Sequence, residues 1–296
     1  MNMAKFKSVY CSILVLIWSA CSTRTTAPEN SSAIALNLRF IEGELHEVDG
    51  YSSLFRPSAV AQITRLEMFV TFTGDTLARE SVVVAPGQTE FSTSLEVPIG
   101  EDRCVIVEAW SDENVEAGSV LEYRGVQCGV RVEAIEQQVA IDLYPVPIKG
   151  SRIVLVAGSG SGSPGTSRNF VPIILLSADP LRGIQFDVQF ESGLIFPDGL
   201  VPSPGVALSN VESNIVEFAE SIALRVLMFD LSANALPPQP DPFRLLMVDF
   251  SVLPEVQSGA ISEIRLTNFA AQNAEGKRLQ VITNKEPGVF RIAGGR

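Results

Sequence analysis

A glycine-rich run, Gly160-Ser161-Gly162-Ser163-Pro164-Gly165, has the spacing of a dinucleotide-binding loop and follows an apolar stretch. That chemistry needs a helix to begin behind the glycines, so that free backbone N–H groups meet a pyrophosphate. The residues that follow read instead as another strand with Pro172 in it, so an inter-strand loop is the better reading. His46 is the sole histidine, which excludes a triad or metal site that needs a second imidazole. It stands among Glu44, Glu47 and Asp49 and reads as part of a solvated loop. Asp112 to Gly118 opens like a calcium-binding loop, yet its glycine is displaced by one residue and Tyr123 occupies the place of the closing glutamate. A charged hairpin tip accounts for it better. Paired carboxylates could hydrolyse glycosides, but linear spacing singles out no pair. No catalytic residue, metal ligand or cofactor is therefore expected, and the chain reads as one that recognises rather than transforms.

The N-terminus runs through Lys5 and Lys7, an apolar stretch from Ile13 to Trp18, and then Ser19-Ala20-Cys21. Basic, apolar and small residues in that order form a secretory signal. The apolar run falls short of the roughly 20 residues that span a bilayer. The segment resembles a bacterial lipoprotein signal, although Trp18 stands where that pattern usually has leucine. The resemblance implies cleavage after residue 20 and acyl chains on Cys21, each buried methylene contributing about 0.8 kcal/mol to membrane attachment. Ser22 fits outer-membrane sorting, so the expected location is the outer membrane, facing the periplasm or the cell surface. Plain secretion with an incidental cysteine is the alternative. Loss of Lys5 and Lys7 would take the formal charge from −12 to −14. So acidic a body repels phosphate backbones, and no nucleic-acid partner is expected. With Cys11 and Cys21 set aside, Cys104 and Cys128 remain, and in an oxidising compartment a disulfide between them is the expectation, with two buried thiols as the alternative.

A composition that is 46% hydrophobic and 19% charged can bury cores, and 296 residues suggest two of them. After the signal (residues 1–20), residues 21–32 are small and polar with Pro28, a tether reaching about 35 to 40 Å when extended. Residues 33–147 show short runs of period-two alternation, such as Leu66 to Phe72, Val105 to Trp110 and Val139 to Leu143, which predict an antiparallel sandwich. It resembles the immunoglobulin-like and transthyretin-like sandwiches of exported proteins, without a diagnostic motif. Cys104 and Cys128 would flank a hairpin whose tip runs from Glu113 to Ser119. Pro145-Val146-Pro147 and Gly150 mark the boundary, because prolines break a strand. A second sandwich is predicted over residues 151–293. In it Ile184, Phe186, Val188 and Phe190 share one face, and Gln185, Asp187 and Gln189 share the other. The fold class is thus all-β, two antiparallel sandwiches.

The second module resembles a cohesin domain, a jelly roll related in fold to carbohydrate-binding modules. The carriers are Gly162 to Gly165 leading into Phe170-Val171-Pro172-Ile173, then Gly183 to Phe190, Leu245 to Val252, Ser258-Gly259, the Asn273-Ala274-Glu275-Gly276 turn and the closing Asn284 to Ile292. Phe190-Glu191 replaces the usual Tyr-Asp pair, and the Leu236 to Pro242 loop is rich in proline. The resemblance implies a non-catalytic module that mediates protein association, with calcium-loaded dockerins as partners. Leu227, Phe229, Leu245 and Met247 stand opposite in parity to their apolar neighbours and form the candidate partner-binding face, doubly covered core strands being the competing reading. The alternative is a polysaccharide-binding lipoprotein. Residues 151–296 contain neither Trp nor Tyr, so the candidate sugar-stacking rings are Trp110 and Tyr123 of the first module, unless they pack in its core or hairpin. A structural envelope component without a discrete ligand is the remaining reading.

Overall fold

A computed structural model describes residues 30–46, 62–85, 88, 91–111, 119–206, 210–217, 222–230 and 235–294. The signal, Cys21, the tether as far as residue 29, and Asp112 to Gly118 lie outside the described residues. Among the described residues no α-helix forms, and the chain builds two β-sandwiches.

The first sandwich has one layer of β4 (Asp75–Val83), β3 (Ile63–Phe72), β6 (Gly100–Ser111) and β7 (Val120–Val132), in that order and antiparallel. The other layer is β5 (Phe91–Pro98), β1 (Ser31–Phe40) and β8 (Gln137–Pro145), with β1 antiparallel to β5 and parallel to β8. Alternation sets what is enclosed: Met68, Val70, Val105 and Val107 from one layer meet Leu36, Leu38, Ile141 and Leu143 from the other. Among the described residues, the layers are joined edge to edge where Tyr123 and Arg124 of β7 pair with Pro145 and Tyr144 of β8.

In the second sandwich, β13 (Ile195–Pro202), β16 (Gln239–Val252), β11 (Asn169–Ser177), β9 (Arg152–Ala157) and β18 (Arg278–Asn284) form one sheet. The facing sheet is β14 (Asn210–Glu217), β15 (Ile222–Phe229), β12 (Leu181–Phe190) and β17 (Ile261–Asn273). The first part of β17 extends it to β19 (Gly288–Ile292), which pairs in parallel with β10 (Gly160–Gly162). Phe186, Val188, Val226 and Leu266 pack onto Leu155, Ile173, Val248 and Phe250. Phe250 lies edge-on to both Phe190 and Phe290.

The second strand of the chain, β2 (Gly43–His46), leaves the first sandwich and pairs antiparallel with β18, adding a strand to the second sandwich. His46 is therefore an edge-strand residue and not part of a solvated loop: its Nε2 lies 2.9 Å from Thr283 Oγ1, and its ring packs on Phe269. The cause is the otherwise bare edge of β18, whose backbone groups β2 satisfies. Gly43 is required there, since a Cβ would stand 2.5 Å from Ile282 and 3.0 Å from Pro145.

All six residues of β9 are buried, and both faces are covered. Ile153, Leu155 and Ala157 face the second core. Val154 and Val156 join Leu176 and Ile282 in a separate cluster capped by Ile41, Leu45 and Tyr144. The first sandwich thus roofs part of the second. Lys285–Glu42 and Arg124–Asp241, each at 3.0 Å, add ion pairs across the joint.

Candidate functional site

The four residues expected to form one partner-binding face do not. Leu227 and Phe229 lie on β15, half-buried on the outer face of the β14-β15-β12-β17 sheet. Met247 lies on β16 in the opposite sheet, so its outward face points away from theirs. Leu245 is fully enclosed beside Leu246. A bulge between the pairs Ile173↔Leu246 and Ile174↔Arg244 breaks the alternation of β16 and turns both leucines into the core.

The face that carries Leu227 and Phe229 also carries a charged network. Asp187 sits at the middle of β12, outward by parity, yet its side chain is 0% exposed. Its register partner on β15 is Arg225 and on β17 is Thr267. Arg225 Nε donates to Asp187 Oδ1 at 2.8 Å and Arg225 Nη2 to Oδ2 at 2.9 Å, a two-pronged geometry that fixes both groups. Asn268 Nδ2 donates to Oδ2 at 3.0 Å. Asn268 reaches it because β17 bulges there, with Asn268 at φ 52° and the register shifting between Gln185 and Asp187. The guanidinium of Arg225, held up above its ordinary pKa mainly by its hydrogen bonds to Asp187, stays about one third exposed. Leu227 flanks it two residues along, opposite Gln185 on β12 and Glu212 on β14. The face therefore presents a positioned arginine among half-buried apolar and polar side chains.

Arg225, Asp187 and Asn268 were not expected from sequence. Asp187 alternates with two glutamines and reads as solvated, and only the strand register shows that Arg225 lies across from it.

The candidate sugar-stacking rings are not available as a platform. Tyr123 is enclosed in the first core with Phe40 edge-on at 5.2 Å, and burial pushes its phenol up to about 12. The register shift of β6 on β7 at Ala109/Trp110 puts both Glu122 and Tyr123 inside, where strict alternation would expose one. Glu122 accepts a hydrogen bond from Ser111 Oγ at 2.9 Å. Trp110 faces outward on β6 but is half-buried, with the Arg65 guanidinium 5.5 Å above its ring.

Cys104 on β6 and Cys128 on β7 are joined by a disulfide, with Cα atoms 3.9 Å apart on neighbouring strands. In the glycine-rich run, Gly160 to Gly162 form β10 and not a loop. A Cβ on Gly160 would lie 2.8 Å from the Phe170 carbonyl oxygen, so the glycine serves close strand approach. The next element is β11, a strand, as expected.

No known protein family matches the chain, and no curated protein matches it. Solved structures similar to it are cohesins. One, in a type I cohesin–dockerin complex from Clostridium thermocellum, shares 20% identity over 48% of this chain and 99% of its own, with a TM-score of 0.41. A second from the same organism, also in a cohesin–dockerin complex, shares 11% over 49% of this chain and 96% of its own, at 0.42. A non-cellulosomal cohesin from the archaeon Archaeoglobus fulgidus shares 17% over 48% of this chain and 92% of its own, at 0.37.

Proposed function

We propose that the chain is a non-catalytic cell-envelope protein, anchored by lipid at Cys21, whose second sandwich docks a protein partner on the outer face of β14-β15-β12-β17. The observation that carries this reading is Arg225, clamped by the enclosed Asp187 and left about one third exposed between Leu227 and the polar centre of the face. Enclosing a carboxylate on the outside of a sheet is costly unless it is paired and hydrogen-bonded. Here the pairing holds an arginine in one geometry before any partner arrives, which lowers the ordering cost of binding. The opposite sheet is a poorer docking surface because the first sandwich already roofs part of it. In this reading the first sandwich is the spacer between membrane and docking face.

A dockerin is the partner class that the sequence resemblance implies. Titration of the purified whole chain with a panel of calcium-loaded dockerins is expected to yield a complex with Kd below about 1 μM, equivalent to about 8 kcal/mol. Arg225→Ala and Leu227→Asp are each expected to weaken it at least tenfold. Absence of binding by every dockerin, or binding indifferent to both variants, overturns the docking assignment. The anchor is tested separately: the wild-type chain should partition with membranes and take up labelled fatty acid, and Cys21→Ser should do neither.

A further inference from the structure

The geometry points to a second ligand site, independent of the docking face: the cleft between the two sandwiches, built to take a neutral, hydroxyl-rich oligosaccharide strand. Beside the roofed part of β9 the sandwiches diverge and leave a cleft of about 1410 Å³. That exceeds the roughly 300–1,000 Å³ of a small-molecule pocket, which gives room for an oligomer. A further hollow of about 510 Å³, reaching Gln127 and Pro242, shares Asn37, Arg39, Asp142 and Tyr144 with the cleft. The same polar wall therefore serves an extended path.

The two walls differ in chemistry. One is the outer face of β1 and β8, carrying Asn37, Arg39, Asp142 and Tyr144; the other mixes apolar Pro172 and Ile174 with Ser159, Asn284, Glu286 and Arg291. Arg39 Nε and Nη2 donate to the two carboxylate oxygens of Asp142, both at 2.8 Å. Both residues line the cleft, and the pairing leaves Arg39 Nη1 as a donor and the remaining lone pairs of Asp142 as acceptors for ligand hydroxyls. The Arg39 side chain is 72% exposed, so a ligand reaches it without rearrangement. Burial holds the Tyr144 phenol near 12, so it is a neutral donor and acceptor at any physiological pH. Pro172 and Ile174, both half-buried, offer apolar surface for the C–H faces of sugar rings, and the polar groups beside them offer partners for hydroxyls.

Charge and topology decide against the other occupants. Arg39 is matched by Asp142, and Lys285 at the end of the cleft by Glu42 at 3.0 Å, so neither a polyanion nor a polycation finds a one-sign field. An extended peptide is captured most readily by a free strand edge. Here β1 is paired on both sides by β5 and β8, and β9 by β11 and β18, so both walls are sheet faces.

The test is calorimetric titration of the whole chain with cellohexaose, xylohexaose and mannohexaose, alongside a library of extended neutral peptides. At least one sugar is expected to bind, and Arg39→Ala and Asn37→Trp are each expected to weaken it at least tenfold with the melting temperature unchanged. Both side chains are exposed, so neither variant threatens folding, and Arg225→Ala should leave sugar binding as it was. The site is overturned if no sugar binds at millimolar concentration, if bound sugar ignores Arg39→Ala and Asn37→Trp, or if a peptide blocked by Asn37→Trp binds where sugars do not.

Discussion

Replacing Asp187 by alanine removes the acceptor of three hydrogen bonds: two from Arg225 at 2.8 and 2.9 Å, and one from Asn268 at 3.0 Å. Breaking a buried pair by deleting one partner costs about 3–5 kcal/mol when the other charge stays enclosed. Arg225 is about one third exposed and regains water, which lowers the expected loss to about 2–4 kcal/mol. At about 2–4 °C per kcal/mol for a chain of this size, that is a fall of roughly 5–15 °C in Tm. Scanning calorimetry and urea unfolding read it directly. A double-mutant cycle with Arg225→Met should give a coupling of about 1–3 kcal/mol, since the two groups share their bonds. A loss under about 1 kcal/mol for Asp187→Ala, or a coupling near zero, refutes the idea that this carboxylate organises the face.

Other perturbations follow from the same structure. Opening the Cys104–Cys128 bridge, which closes a separation of 24 residues, should lower stability by about 3.5 kcal/mol in the loop-entropy picture; a Cys104→Ser/Cys128→Ser double variant with an unchanged urea midpoint would contradict it. Burial lowers the pKa of His46 below its ordinary value, so the unfolded chain binds the proton more readily and stability should fall as pH drops through about 6.5 toward the folded pKa; His46→Gln should flatten that slope in pH-dependent melting curves. Gly43→Ala drives a methyl into Ile282 and Pro145 and should cost about 1–3 kcal/mol, with faster proteolytic cleavage next to β2 as the second readout.

What the sequence shows depends on whether a feature is local. The alternation of β12 announces a strand with one apolar face, and Ile184, Phe186, Val188 and Phe190 are enclosed as expected. Leu245 and Tyr123 fail because a bulge or a register shift resets parity, and no neighbouring residue signals the offset. The pairing of Asp187 with Arg225 needs the register of β12 on β15, a fact of assembly and not of either strand. β2 is the extreme case: four residues in a polar stretch, with no periodicity of their own, become a strand because an edge elsewhere requires one.

The β2–β18 pairing also governs when the molecule can be finished. His46 bonds to Thr283 across 237 residues, so the segment made first waits for one that leaves the ribosome much later. Cores nearer in sequence can condense while synthesis continues, but the seam between the two halves closes only once β18 has arrived. A truncated chain, or one stalled short of residue 278, would keep a bare sheet edge exposed, which invites pairing with another molecule and makes premature termination an aggregation hazard.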